Sequence, residues 1–187
     1  MCYIEKIEYE IVPIDSFSVI RNCPGCGKKS YFINTKRFRV NANGNRLDVW
    51  LIYQCEKCKH IYNLAIYERA KVSSLPEKEH QRFLSNDEQL AEMYGRNYLL
   101  FKKNKAEIDL KAVNYQITRL GGIPDSKNYQ HPVEIMIHNP CRLKIRPERQ
   151  IAEVLYLSRS QVKKMMELGD ITIQTISPKV ISVSVNA

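Results

Sequence analysis

Four cysteines stand in two pairs, Cys23-Pro24-Gly25-Cys26 and Cys55-Glu56-Lys57-Cys58. A thiolate is a soft ligand, and zinc takes about four ligands in a tetrahedron with Zn–S near ~2.3 Å. Two thiolates separated by two residues reach one ion when the chain between them turns tightly. Pro24 and Gly25 suit such a turn, and Gly27 is expected to relieve crowding just after it. Four thiolates leave no coordination position for an activated water, so such a site holds a fold together and does not catalyse. A dithiol redox pair, an iron–sulfur cluster and buried free thiols are the other chemistries open to these residues. A redox pair belongs beside a βαβ unit, which this stretch does not suggest. His60 lies two residues after Cys58 and could replace a thiolate. Cys2 and Cys141 lack partners at metal spacing and are expected to be unliganded thiols.

The second turn must come back to the first. Alternation in Lys36-Arg37-Phe38-Arg39-Val40 leads into Asn43-Gly44, a strong short hairpin signal because both residues tolerate positive φ, and Leu47 to Gln54 resumes the strand pattern. A further strand is expected over Ile61 to Tyr67. The 28 residues between Cys26 and Cys55 exceed the usual gap of roughly 15–20, and a long hairpin accommodates the excess. Over roughly residues 20–67 the pattern resembles a zinc ribbon, which implies a structural zinc ion on Cys23, Cys26, Cys55 and Cys58. Lys28, Lys29, Lys36, Arg37 and Arg39 interleave with Tyr31, Phe32 and Phe38. That mixture suits phosphate contacts with base stacking, but core aromatics beside a solvated charged face is the preferred reading.

The chain of 187 residues carries 29 Lys+Arg against 20 Asp+Glu, a net charge of +9. Residues 1–70 hold 11 cations and 7 anions, residues 71–115 hold 8 and 7, and residues 116–187 hold 10 and 6. The excess sits at the two ends, and basic surface favours polyanions. A hydrophobic fraction of 44% excludes wholesale disorder, and no apolar run approaches the ~20 residues of a membrane-spanning helix. The start, Met1 to Lys6, has neither the basic nor the apolar part of a signal peptide, so a cytoplasmic location with reduced thiols is expected.

The middle of the chain reads as helical. Pro76 can open a helix, Ser85-Asn86-Asp87-Glu88 has the form of a capping box, and Leu90, Ala91 and Tyr94 make an apolar stripe. Glu77 and Glu79 fall on different helix faces and look like solvated charges. Residues 106–120 fit a helix through Val113, Ile117 and Leu120, and a strand through Ile108, Leu110 and Ala112. Gly121-Gly122-Ile123-Pro124-Asp125 marks a break, and a strand is expected at Val133 to Ile137.

Toward the C-terminus two helices follow in close succession. Pro147 opens the first, with Ile151, Val154 and Leu155 on its buried face; Ser158 and Gln161 cap the second, with Val162, Met165 and Met166 as its stripe. Gly169 ends it, and Ile171 and Ile173 begin a strand. Arg146, Ile151-Ala152, Leu155, Ser158-Arg159-Ser160, Met165-Met166, Gly169 and Ile171-Thr172-Ile173 stand in the register of the small RNA-binding domain first recognised in ribosomal protein S-four, the αL motif. The segment resembles that domain over about 30 residues. It departs from it in having Pro147-Glu148 after the arginine, Tyr156 where glycine is common, and Gln174-Thr175 in place of a closing Asn-Gly. The resemblance implies an RNA-facing surface of Arg146, Arg149, Arg159, Ser160, Lys163 and Lys164. The same residues fit a helix-turn-helix in which Arg159, Ser160, Gln161 and Lys164 would read DNA. A helical pair packed only for structure is the third reading. Taken whole, the chain is similar to a bacterial family of uncharacterised proteins, a named domain of unknown function, which implies no activity.

No Gly-rich phosphate loop, Gly-x-Ser-x-Gly elbow or His-Glu-x-x-His motif is present, and His60, His80, His131 and His138 form no defensible triad. The expectation is an α+β protein: a zinc-ribbon β domain over residues 1–70, a mainly helical connector over 71–120, and an αL-like RNA-binding module over 121–187. It would be non-enzymatic, carry structural zinc and bind RNA, ribosomal or transfer RNA being the candidates. The alternatives are a DNA-binding regulator and a zinc-stabilised interaction module.

Overall fold

The structure is a computed structural model and describes residues 5–121 and 132–186. Its content is mixed α and β, with two five-stranded sheets and five helices among the described residues. The chain divides into a central unit, residues 14–113, and a terminal unit formed by residues 1–13 and 114–187.

The first strand, β1 (Glu5–Pro13), belongs to the terminal unit. The central unit then runs β2 (Val19–Cys23), β3 (Lys28–Asn43), β4 (Arg46–Cys55) and β5 (Ile61–Lys71). A 3₁₀ turn (Val72–Ser74) leads to α1 (Glu77–Leu84), α2 (Glu88–Gly95), α3 (Tyr98–Lys103) and β6 (Glu107–Ile108). The sheet order is β5-β4-β3-β2-β6, antiparallel throughout. In β4 the alternation is complete: Leu47, Val49, Leu51, Tyr53 and Cys55 are buried, and the residues between them are half-buried. The helices press Phe83, Leu90, Tyr94 and Phe101 onto the buried face. Edge-to-face ring pairs hold them, Phe38 to Phe83 at 4.9 Å and Phe17 to Phe101 at 5.3 Å between centroids.

The turn between β3 and β4 is one residue later than the sequence suggests. Asn43 pairs with Arg46, so the two-residue loop is Gly44-Asn45, and of Asn43, Gly44 and Asn45 only Gly44 has positive φ, +59°. That is glycine first, as in a type II′ turn. Nor is Ser85 the cap of α2. It follows α1, and the cap is Asp87, whose Oδ1 accepts from Leu90 N–H at 2.8 Å. The Arg82 guanidinium and that amide hold the Asp87 carboxyl below the usual range. Glu79 is not a solvated charge: it accepts from Tyr67 O–H at 3.2 Å and from Tyr94 O–H.

In the terminal unit β7 (Tyr115–Arg119) returns antiparallel to β1, and β8 (Val133–His138) runs parallel to it on the other side. After α4 (Pro147–Leu155) and α5 (Arg159–Leu168), the hairpin of β9 (Ile171–Ser177) and β10 (Val180–Val185) completes the order β7-β1-β8-β10-β9. Ile7, Ile11, Ile135, Ile137, Ile151, Val162 and Val183 are buried there. Residues 106–120 hold two short strands and no helix: Ile108 is in β6 and Ile117 in β7, while Leu110 and Ala112, expected in a strand, lie in the turn between them. The divisions near 13/14 and 113/114 differ from the expected ones at 70/71 and 120/121. The reason is pairing across long sequence separation, since β1 finds its partners more than 100 residues later. The proposed break at Gly122 to Asp125, His131 and Cys2 lie outside the described residues. Among those described, no helix is long and apolar enough to cross a membrane.

The joint between α2 and β3 is tight. Asn34 Nδ2 donates to Ser16 Oγ at 2.9 Å and to the Ala91 carbonyl at 3.1 Å, and a Cβ on Gly95 would lie 2.3 Å from Ser16 Oγ. Gly95→Ala is therefore expected to destabilise the chain by about 1–3 kcal/mol, the usual range for overpacking. Equilibrium urea unfolding checks it, and Ser16→Gly in the same chain should restore part of the loss.

Candidate metal centre and basic helix pair

In an antiparallel meander alternate hairpin turns fall at the same end of the sheet. The β2–β3 turn carries Cys23 and Cys26, and the β4–β5 turn carries Cys55 and Cys58, so β3 and β4 account for the long gap between the pairs. The turns close by one device. Gly27 N–H donates to the Cys23 carbonyl at 2.9 Å, and Lys59 N–H donates to the Cys55 carbonyl at 3.0 Å. The residue after each second cysteine is left-handed, Gly27 at φ +66° and Lys59 at +63°. Gly27 does not relieve crowding, because an added Cβ would meet no atom within 4 Å; its contribution is the positive φ. Two further backbone bonds fix the second turn, Cys55 N–H to the His60 carbonyl at 2.8 Å and Glu56 N–H to the Tyr31 carbonyl at 3.0 Å.

The four sulfurs lie within 4.8 Å of one another and could hold a metal ion. Cys23 and Cys58 Sγ are 3.4 Å apart, Cys26 and Cys55 Sγ 3.7 Å. These separations exceed the ~2.05 Å of a disulfide. They are close to the about 3.8 Å edge of a tetrahedron with ~2.3 Å metal–sulfur bonds. Cys23 and Cys55 are buried, Cys26 is half-buried and Cys58 is exposed. The backbone N–H groups of Cys58 and Lys57 hold the Cys55 thiol down to about 6. The hydrogen bond to Cys58, then burial, pushes the Cys26 thiol up to about 12, and burial raises that of Cys23. One thiolate is thus favoured at neutral pH beside thiols that a cation would have to deprotonate. His60 is exposed and outside the group, to which it lends its backbone carbonyl. Cys141 is buried.

Gly25 is the residue whose role spacing alone could not show. A Cβ there would stand 2.9 Å from Cys58 Sγ. With that sulfur fixed by an ion, Gly25→Ala should cost about 1–3 kcal/mol of strain, or about 5- to 150-fold in metal affinity. Competition against a chromophoric chelator measures it, with Gly27→Ala as the comparison that leaves the sulfurs unobstructed.

The basic strand beside the centre is partly neutralised. Lys29 pairs with Glu107 at 2.8 Å, and Lys36 with Glu92 at 2.8 Å and Glu88 at 3.2 Å. Phe32 and Phe38 are core residues, and Tyr31 O–H donates to Asp109 at 3.4 Å.

The C-terminal residues keep the expected local order. Pro147 stands in the first turn of α4, which ends in Tyr156 at φ +54°, the place where the resembling domain has glycine. Ser158 and Gln161 form a complete capping box on α5, and Gly169 closes it at φ +84°. Arg146, Arg159, Ser160, Lys163 and Lys164 are exposed. Arg149 is engaged, its Nε 3.0 Å from Glu153 and its guanidinium 5.3 Å from the Tyr115 ring centre.

A family model described as "Protein of unknown function (DUF1062)" matches residues 40–177, most of the chain. No curated protein and no solved structure matches it.

Proposed function

The chain belongs to the DUF1062 family, and we propose that it is a non-enzymatic, zinc-containing protein that binds structured RNA through α4 and α5. Zinc suits the four-sulfur group because it takes an all-thiolate tetrahedron without redox chemistry. Cys23, Cys26, Cys55 and Cys58 would hold it, and the ion would supply folding free energy to the two turns of a ribbon-like sheet. In a bacterial cytoplasm, the setting this reading assumes, the thiols stay reduced and available to the metal.

One observation carries the RNA reading: Arg159, Lys163 and Lys164 are exposed on α5 and form no ion pair with any described residue, unlike Lys29, Lys36 and Arg149. Arginine offers phosphate a planar fork of donors and lysine a mobile charge. The capping box, the left-handed Tyr156 and the strand that begins two residues after Gly169 also agree with an αL-like module.

Charge reversal at Arg159 and Lys163 should weaken binding to a structured RNA at least about tenfold and flatten its salt dependence. Titrating wild type and double variant against the RNA and a duplex DNA, at several salt concentrations, tests this. Unchanged RNA affinity contradicts the proposal, and tighter binding to the duplex selects the helix-turn-helix reading instead.

A further inference from the structure

A second group of cations gathers in the terminal unit and shares Arg146 with the expected RNA-facing set. The segment between β8 and α4 and the turn between β9 and β10 enclose an open groove of about 510 Å³. Its floor is apolar, with Ile137, Leu143, Ile145 and Ile181, and its cations are Arg142, Lys144, Arg146 and Lys179. No aspartate or glutamate lines it. None of the four cations forms an ion pair or side-chain hydrogen bond with a described residue, and all four are exposed. Some other cations on this chain do have carboxylate partners: Lys6 with Glu134, Lys29 with Glu107, Lys36 with Glu88 and Glu92, Arg82 with Asp87. Four like charges gathered around one concavity repel one another, and an anion relieves that repulsion.

The walls are also held in place. Asn139 N–H donates to the Lys179 carbonyl at 2.6 Å, tying one loop to the other. Asn139 Oδ1 accepts from Leu143 N–H at 2.8 Å, and its Nδ2 donates to the Leu143 carbonyl at 2.9 Å, cinching the loop around Arg142. Within that loop Arg142 is held at φ +54°, a conformation glycine adopts more cheaply. Gln150, 5% exposed, braces the far wall through Nε2 to the Ile145 carbonyl at 3.0 Å. A groove that gathers four cationic side chains and no carboxylate, on loops tied together by backbone and amide bonds, suits a compact polyanionic group.

We infer that this groove binds a phosphate group through Arg142, Lys144, Arg146 and Lys179. The phosphate is either that of an RNA backbone or that of a free phosphorylated small molecule. The first source rests on the RNA reading above; the groove itself does not.

The test uses the full chain, the double variant Lys144→Gln/Lys179→Gln, and Arg142→Gly, which removes a guanidinium while easing the left-handed backbone. Inorganic phosphate, titrated against chloride at constant ionic strength, should shift the amide resonances of residues 142, 144 and 179 saturably in wild type and not in the double variant. In the second arm the same structured RNA should bind the double variant about tenfold more weakly. Its salt slope should be shallower by roughly 0.7–0.9 per charge removed. Lys78→Gln/Lys102→Gln, an equal loss of charge in the central unit, should have less effect. Weakened RNA binding assigns the phosphate to RNA; a phosphate response with RNA affinity unchanged assigns it to a small molecule. No response in either arm overturns the inference, and the RNA reading survives that result if Arg159 and Lys163 still control affinity. If wild type binds no RNA, the phosphate arm alone decides.

Discussion

Convergence of four cysteine sulfurs at one end of the central sheet is the constraint on which that unit depends. Backbone bonds define each strand pair, and the sulfurs bring the β2–β3 turn directly against the β4–β5 turn. The local cost of that closure is visible. Lys59 is held in a left-handed conformation that costs an ordinary residue roughly 1–2 kcal/mol, and Gly25 must lack a side chain because Cys58 Sγ occupies the space. An ion bound to four thiolates would offset such local costs many times over. The helices then complete the unit from one face of the sheet, through rings and the Asn34 joint.

Much of this was legible in the residues. The cysteine pairs named the site because ligand spacing is local and the turn chemistry is strict. The β4 alternation, the Leu90-Ala91-Tyr94 stripe, the helix pair and its Ser158–Gln161 box were readable for the same reason: each depends on neighbours a few positions away. The likeness to a family of unknown function is matched by the family model over residues 40–177. What could not be read was long-range. β1 looks like part of the N-terminal β region until β7 and β8 are seen on either side of it. The role of Gly25 needs a sulfur 33 residues away. Asp87 displaces Ser85 as the cap because the Arg82 pair and the preceding helix end fix where α2 can begin.

Charge shows the same division. Counting placed basic excess at both ends of the chain, but only coordinates distinguish a cation with a carboxylate beside it from one without. The N-terminal excess is partly neutralised by Glu88, Glu92 and Glu107, from a segment that counting treated as separate. The C-terminal excess is not, on α5 or around the groove. In the central unit the four cysteines that could hold a metal ion gather at one end of the sheet.

X-ray absorption at the metal edge of the purified full chain addresses the central claim most directly. The account predicts one zinc ion per chain with a first shell of four sulfurs near ~2.3 Å. A shell containing nitrogen or oxygen, a different metal, or a folded chain that binds no metal would contradict it.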